Sequence, residues 1–226
     1  MLVGVLAGLL AFGFARVFGE PEVDRAIAFE EHVSALHEAE EAAAGGMAAH
    51  DHEEELVSRE VQASVGLLTG VVVYSAAMGG LFALVFAYAL GRSGRLGPRA
   101  LGALLALAAF VALYLVPSLK YPANPPSVGD PESIRRRTAL FFLMIALSVA
   151  AAIIAVKLAR NLMARHGAWT GALAGAGLYL LVCAIAAALF PAVREVPADF
   201  PADLLWQFRL VSLGIQAILW STVGLV

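Results

Sequence analysis

The stretch that decides the fold is residues 65–90, VGLLTGVVVYSAAMGGLFALVFAYAL, which contains no charged side chain over 26 residues. A bilayer core of roughly 30 Å is crossed by about 20 apolar residues when they form a helix. The run lacks the alternation of a barrel strand, and backbone in lipid must satisfy its own hydrogen bonds. It therefore predicts a transmembrane helix.

Five more apolar runs, each with at most one charged residue, lie along the chain. The six predicted spans are TM1 at 1–18, TM2 at 65–90, TM3 at 99–116, TM4 at 138–156, TM5 at 168–190 and TM6 at 204–226. The composition agrees, since 61% of the 226 residues are hydrophobic and 15% are charged. We predict an all-α, polytopic integral membrane helical bundle of about six transmembrane helices, forming a single membrane domain.

Two features of the runs concern processing and redox chemistry. The first run has no basic amino-terminal region and no small-x-small cleavage site before Arg16, so we expect a retained span. Cys183 is the only cysteine and lies within the fifth run, so it cannot pair within the chain. We expect it to be a small buried residue.

Basic residues in short connections mark the cytoplasmic side of a membrane protein. The connections after the second and fourth spans carry bases and no acids, namely Arg92, Arg95, Arg99, Lys157, Arg160 and Arg165. This pattern predicts that both termini are cytoplasmic and that segments 19–64, 117–137 and 191–203 face outward. In a bacterium the membrane would be the inner, cytoplasmic one.

The outward segment is strongly acidic, with thirteen acids, four histidines and two arginines in residues 20–60. Imidazole and carboxylate together suit borderline divalent ions such as cobalt, nickel or zinc, whereas copper(I) prefers sulfur ligands. The candidate metal ligands are Glu30, His32, His37, Glu41, His50, Asp51 and His52. The alternative is a solvated acidic loop that attracts cations without coordinating them.

Part of this segment has a helical pattern. Phe29, Val33 and Leu36 recur at i, i+4 and i+7, which predicts a short amphipathic helix over 22–44 that ends at Gly45 and Gly46. At about 100° per residue, Glu30, His37 and Glu41 share one face, and His32 lies about 140° from His37.

A proline-rich corner follows the third span, which we expect to end at Pro117. Residues 121–132 read YPANPPSVGDPE, and residues before proline are restricted to extended conformations, so the corner should be stiff. It is either a rigid hairpin or an entrance at which Asn124, Asp130 and Glu132 present oxygen ligands. Three adjacent arginines, Arg135, Arg136 and Arg137, then lie on the predicted outer side and could pair with acids of segment 19–64.

This corner string, followed by IRRRT at 134–138, resembles the signature of the CbtA-type cobalt transporter subunit family. The resemblance implies cobalt uptake for cobalamin synthesis, beside a small single-span, His-bearing partner of the CbtB type. Cobalt(II) would be the substrate, with nickel or zinc as further candidates, and no tightly bound cofactor is implied.

Polar residues inside the spans are few. Arg209, Ser212 and Gln216 recur at i, i+3 and i+7 and form a candidate transport path; alternatively Arg209 reaches back to surface acids at 199 and 203. No Asp, Glu or His lies at mid-depth. Glycines four residues apart, at 4 and 8, 66 and 70, and 171 and 175, predict close helix contacts.

The favoured function is a membrane subunit of a cobalt uptake transporter, with the lipid bilayer, a partner chain and possible homo-oligomers as its associations. The competing hypothesis is a non-transporting scaffold or accessory subunit, favoured by the missing mid-membrane carboxylate. An enzyme is disfavoured because no nucleophile stands beside a base. A nucleic-acid partner is disfavoured because the net charge is −3 and there is no basic surface.

Overall fold

The computed structural model describes residues 1–43, 58–94, 96–126, 128, 131–193 and 195–226. In these ranges the chain forms helices, turns and irregular segments, and no β-strand. Six of the helices are long and apolar enough to cross a membrane. The predicted all-α, polytopic fold with about six spans is confirmed.

The first three spanning helices each contain one π-helical turn. The helices are α1 (Leu2–Phe14, Ala15–Gly19 and Glu20–Ala43), α2 (Arg59–Val61, Gln62–Gly66 and Leu67–Ala89), α3 (Pro98–Ala109, Phe110–Leu115 and Val116–Lys120), α4 (Pro131–His166), α5 (Ala168–Leu189) and α6 (Ala202–Leu225). Many of their large apolar side chains are exposed, as Leu84 and Leu189 are. Exposed apolar surface on this scale requires lipid around it.

Helix α1 does not end where the sequence places the first span's end, at Phe18, but continues to Ala43. Pro21 lacks an N–H, so a helix that passes through it loses the hydrogen bond to the carbonyl four residues earlier. The π-helical turn Ala15–Gly19 ends two residues before Pro21 and is the wider turn that can accommodate such a residue. The acidic residues after Glu20 therefore extend from the first span on one helix.

The same arrangement recurs at Pro117. The π-helical turn Phe110–Leu115 lies just before this proline, and α3 continues through it to Lys120. The sequence predicts a helix end at Pro117 because proline usually stops a helix. The structure differs because the π-helical turn is wider than an α-helical turn and accommodates Pro117, which has no N–H to donate.

Helices α4 and α5 are joined by a single residue. Gly167 has φ +89°, a left-handed conformation that favours glycine, and α5 begins at the next residue. The bases Lys157, Arg160 and Arg165, which the sequence places in a connection, lie on the last turns of α4.

The chain divides into two compact units. The first contains Met1–Ala83, Asn124–Gly129 and Val196–Thr222, and the second contains Leu84–Ala123, Asp130–Glu195 and Val223–Val226. In the first unit, Gly4 and Gly8 pack against the backbone of α2 around Ser75. In the second unit, Gly171 and Gly175 pack against α4.

Two of the three predicted glycine contacts are thus confirmed, and the third is wrong. A Cβ on Gly70 would meet nothing within 4 Å, and one on Gly66 would meet only the Val61 carbonyl of its own helix. Spacing of glycines alone does not say which helix face is packed.

We expect Gly175→Leu to destabilise the second unit. A Cβ there would lie 2.8 Å from Ala159 Cβ and 2.9 Å from the Ala155 carbonyl, so α4 and α5 would have to separate. Overpacking of this kind costs about 1–3 kcal/mol. The matched control is Gly177→Leu on the same helix, where a Cβ would meet nothing within 4 Å. Thermal unfolding in detergent should show a lower midpoint for the first variant alone; equal midpoints would contradict the packing.

Candidate functional site

In the first unit, Arg59 at the start of α2 binds two acids of α1. Its Nη2 donates to Glu20 Oε2 at 2.5 Å and to Asp24 Oδ1 at 2.9 Å. The Glu20 side chain is only 7% exposed, and a buried carboxylate is stable when a paired cation replaces its water. Arg59 therefore fixes α1 to α2 where the acidic segment begins.

Arg25 makes a second bridge within the same unit. Its Nη1 donates to Glu22 Oε2 and its Nη2 donates to Asp203 Oδ2, both at 2.9 Å. Asp203 lies on the first turn of α6, so the guanidinium joins α1 to α6. Asp203, which the sequence offers as a partner for Arg209, is held by Arg25.

An apolar cluster supports these ion pairs. Ala26 and Leu204 are buried against Phe200 and Val128, and the Phe29 and Phe200 rings meet edge to face at 5.2 Å. Phe29 is therefore the packed member of the predicted apolar stripe. Leu36 is 51% exposed. The predicted apolar face is therefore confirmed at Phe29 and wrong at Leu36.

Beyond this cluster, residues 30–43 of α1 form a segment that we call the arm. Its exposed acids and histidines are Glu30, Glu31, His32, His37 and Glu40, with Glu38 half-buried. Within the described part of the chain, none of these six makes an ion pair. The arm thus differs from Glu20, Glu22 and Asp24, whose carboxylates are bound by arginines.

Among the arm residues whose side chains are described, three are predicted metal ligands, namely His32, His37 and Glu30. Glu41 is also on α1, although its side chain is outside the description, and His50, Asp51 and His52 lie outside the described residues. Among the residues that the structure describes, no three His, Cys, Asp or Glu side chains form a group able to hold a metal ion. The ligand assignment stays a prediction.

The predicted corner residues have different roles. Asn124 Oδ1 accepts a hydrogen bond from Arg209 Nη2 at 3.2 Å, within the first unit. That oxygen is therefore engaged by a cation of the chain itself. Asp130 lies outside the described residues, and Glu132 is on α4 with its side chain outside the description.

In the second unit the three arginines of the triplet lie in different environments. Arg135 and Arg136 are exposed, whereas Arg137 pairs with Glu195, its Nη1 lying 3.3 Å from Oε2. Glu195 Oε1 accepts a hydrogen bond from Ser133 at 2.5 Å, and the Glu195 side chain is 3% exposed. Arg137 also donates to the Pro122 carbonyl. Arg137 therefore joins α4 to Pro122, at the start of the corner, and to Glu195 in the segment after α5.

Tyr121 makes a further hydrogen bond to the segment after α5. Its hydroxyl donates to the Pro191 carbonyl at 2.9 Å. Burial raises the pKa of the Tyr121 phenol, and the opposing influence of nearby Arg136 is smaller. The phenol therefore keeps its proton, and its hydrogen bond, to a higher pH than an ordinary tyrosine does.

Sequence reasoning missed Glu195, Ser133, Arg25 and Arg59 as organising residues. Their partners are distant in the chain, with Arg59 and Glu20 separated by 39 positions and Arg25 and Asp203 by 178. One signal was available, since Arg25 and Arg59 are the only cations among thirteen acids in residues 20–60. Such isolated cations are candidates for ion pairs.

The predicted path residues Arg209, Ser212 and Gln216 all lie on α6 and are half-buried. The second unit adds polar contacts that the sequence did not single out. Ser148 and Tyr179 share a hydrogen bond of 2.8 Å between α4 and α5, and Cys183 is buried one turn beyond Tyr179 with a free thiol.

Comparison with known protein families identifies a match to this chain. A family model described as "Probable cobalt transporter subunit (CbtA)" matches residues 1–226, which is the whole chain. No curated protein and no solved structure matches the chain significantly.

Proposed function

The chain belongs to the CbtA family of probable cobalt transporter subunits, and from this premise we propose that it captures divalent cobalt outside the membrane and passes it inward. Cobalt is the cargo, with nickel and zinc as competitors that the same ligand types would accept. The chain is a multi-pass membrane protein with six spanning helices.

The arm supports the capture step. In the described part of the chain, no arginine pairs with its carboxylates and its imidazoles make no ion pair. By contrast, arginines bind the carboxylates of Glu20, Glu22 and Asp24. His37 has Glu40 and Glu41 within one turn and Glu30 two turns away on the same face. A cation at the arm would meet this face first. Further ligands from His50, Asp51 and His52 would complete its coordination.

The basic residues support an orientation in which the arm faces outward. Arg92 and Arg99 lie around the turn between α2 and α3, and Lys157, Arg160 and Arg165 lie at the end of α4. Positive charge marks the cytoplasmic side. Both termini are then cytoplasmic, and the membrane is the inner membrane of a bacterium.

The membrane potential can supply the driving force. Moving one charge through 100 mV releases about 2.3 kcal/mol, so a doubly charged ion gains about 4.6 kcal/mol. The chain contains no nucleotide-binding motif G-x-x-x-x-G-K-[ST]. Uptake driven by the potential, with a small His-bearing single-span partner, requires no nucleotide site on this subunit.

A second candidate function is a scaffold or accessory subunit that does not itself conduct the ion. One observation favours it: among the described residues, the middle of each span carries no Asp, Glu or His. Many ion-coupled carriers use such groups as relays. In this case the chain would position a conducting partner.

Cobalt accumulation in cells separates the two functions. We expect cells lacking the chain to take up less cobalt at low external concentration, and the full chain to restore uptake. A scaffold predicts that uptake persists when the partner is overproduced without this chain. Equal uptake with and without the chain, with no partner added, would contradict transport.

A further inference from the structure

The second unit contains a cavity between α3 and α4 that the proposed function does not use. Its volume is about 240 Å³. Hydroxyl groups, one guanidinium and apolar side chains line it, among them Tyr114, Ser118, Ile134, Arg137, Thr138 and Phe141. A pocket that combines a cation and hydroxyl groups with aromatic and aliphatic surface fits an amphiphile.

The cavity lies where the polar and apolar parts of both helices meet. Helix α3 ends at Lys120, one residue before the lining residue Tyr121. On α4, three arginines are followed directly by the apolar run that starts at residue 138. Phospholipid phosphates lie at this level of a bilayer, with their acyl chains on the apolar side.

The polar groups of the cavity retain capacity for a ligand. Arg137 uses Nη1 and Nη2 for Glu195 and Pro122, and a guanidinium has five N–H donors in all. Within the described residues, the hydroxyls of Tyr114 and Thr138 make no hydrogen bond, and Ser118 donates to the Leu115 carbonyl while keeping its lone pairs. The remaining N–H groups of Arg137 and the hydroxyl protons of Tyr114 and Thr138 are the donors available for phosphate oxygens, since Ser118 already donates its proton.

The charges around the cavity favour an anion. Arg135 and Arg136 are exposed beside the lining residues Ile134 and Arg137. The positive charge of Arg136 acts on Tyr121, which also lines the cavity. The carboxylate that faces Arg137 is Glu195, and it is 3% exposed and already bonded to Ser133. Glu195 is not among the residues that line the cavity.

We propose that this cavity binds the phosphate of an anionic phospholipid, whose acyl chain lies along Phe141, on the apolar side of Arg137. A guanidinium binds phosphate oxygens through charge-assisted hydrogen bonds. Basic residues that set topology are not expected on the predicted outer side. The proposal gives the arginine triplet a different role, in which Arg137 binds the Pro122 carbonyl and the triplet attracts an anionic lipid. It does not depend on cobalt transport.

The test uses the purified full chain, delipidated in detergent, with phosphatidylglycerol or phosphatidylcholine added. Native mass spectrometry should show retained phosphatidylglycerol, and the unfolding midpoint should rise with phosphatidylglycerol more than with phosphatidylcholine. Equal retention of both lipids would overturn the proposal. Inorganic phosphate or glycerol phosphate giving the same stabilisation would also overturn it, because the site would then bind a free anion.

Variants locate the site. Because Arg137→Gln alone would leave Glu195 without a counter-charge, we combine it with Glu195→Gln, and test Thr138→Val and Arg136→Gln separately. The double variant and Arg136→Gln should each weaken phosphatidylglycerol retention by about fivefold, the effect of losing roughly one basic contact, and Thr138→Val, which removes one neutral hydroxyl, should weaken it less. The matched control is Arg165→Gln in the last turn of the same helix. Unchanged retention in all three cavity variants, or an equal loss in the control, would refute the assignment.

Discussion

Cells that carry a neutralised arm should take up cobalt roughly 10- to 100-fold more slowly at low external cobalt, within the roughly 10- to 1,000-fold range by which charged clefts accelerate capture of counter-ions. The variant combines Glu30→Gln, Glu31→Gln, His32→Gln, His37→Gln, Glu38→Gln and Glu40→Gln. Glutamine keeps side-chain length and helix propensity, so α1 should persist. Uptake of labelled cobalt is the measurement, with chain levels in the membrane matched.

The control for this prediction changes exposed arm residues that cannot bind metal. Ser34→Gln, Ala35→Gln and Ala39→Gln lie on the same exposed helix and should leave uptake unchanged. A His32→Gln, His37→Gln variant separates coordination from attraction, because attraction alone keeps uptake when the carboxylates remain. Normal uptake by the fully neutralised arm would remove it from the mechanism.

The second large effect is on stability. Arg59→Gln should lower the free energy of unfolding by about 2–3 kcal/mol, because the buried carboxylate of Glu20 loses its counter-charge. The figure is below the roughly 3–5 kcal/mol of a fully buried pair, since Arg59 is itself 30% exposed. Denaturation of the purified chain in detergent measures the loss.

Two controls define the cause of that loss. Adding Glu20→Gln to Arg59→Gln should recover much of the stability, because no buried charge then remains unpaired. Arg25→Gln should have a smaller effect, since its partner Asp203 is 70% exposed and water can replace the guanidinium. Equal losses for Arg25→Gln and Arg59→Gln would contradict the role given to burial.

Much of the fold follows from local sequence. The six spans are predictable because each requires only a long apolar run. Such a run is visible in the sequence without knowing which other helices it packs against. The course of α1 and α3 through Pro21 and Pro117 is less predictable. Proline signals a break, and the compensating π-helical turns at Ala15–Gly19 and Phe110–Leu115 have no clear sequence signature.

The candidate site is only partly predictable, for a different physical reason. The density of acids and histidines can be counted, but ion pairing decides which acids are open to a cation. That pairing depends on contacts such as Arg25 with Asp203 and Arg137 with Glu195, which join distant parts of the chain. The sequence suggested pairing between the arginine triplet and segment 19–64, and the structure pairs Arg137 with Glu195 of another segment.

Titration of cobalt into the purified full chain, followed by calorimetry, tests the central claim most directly. The account predicts binding heat for the natural chain and its marked reduction in the neutralised-arm variant, with the Ser34→Gln, Ala35→Gln, Ala39→Gln control unchanged. Identical binding heats for the natural chain and the neutralised arm, or no heat from either, would contradict cobalt capture by the arm.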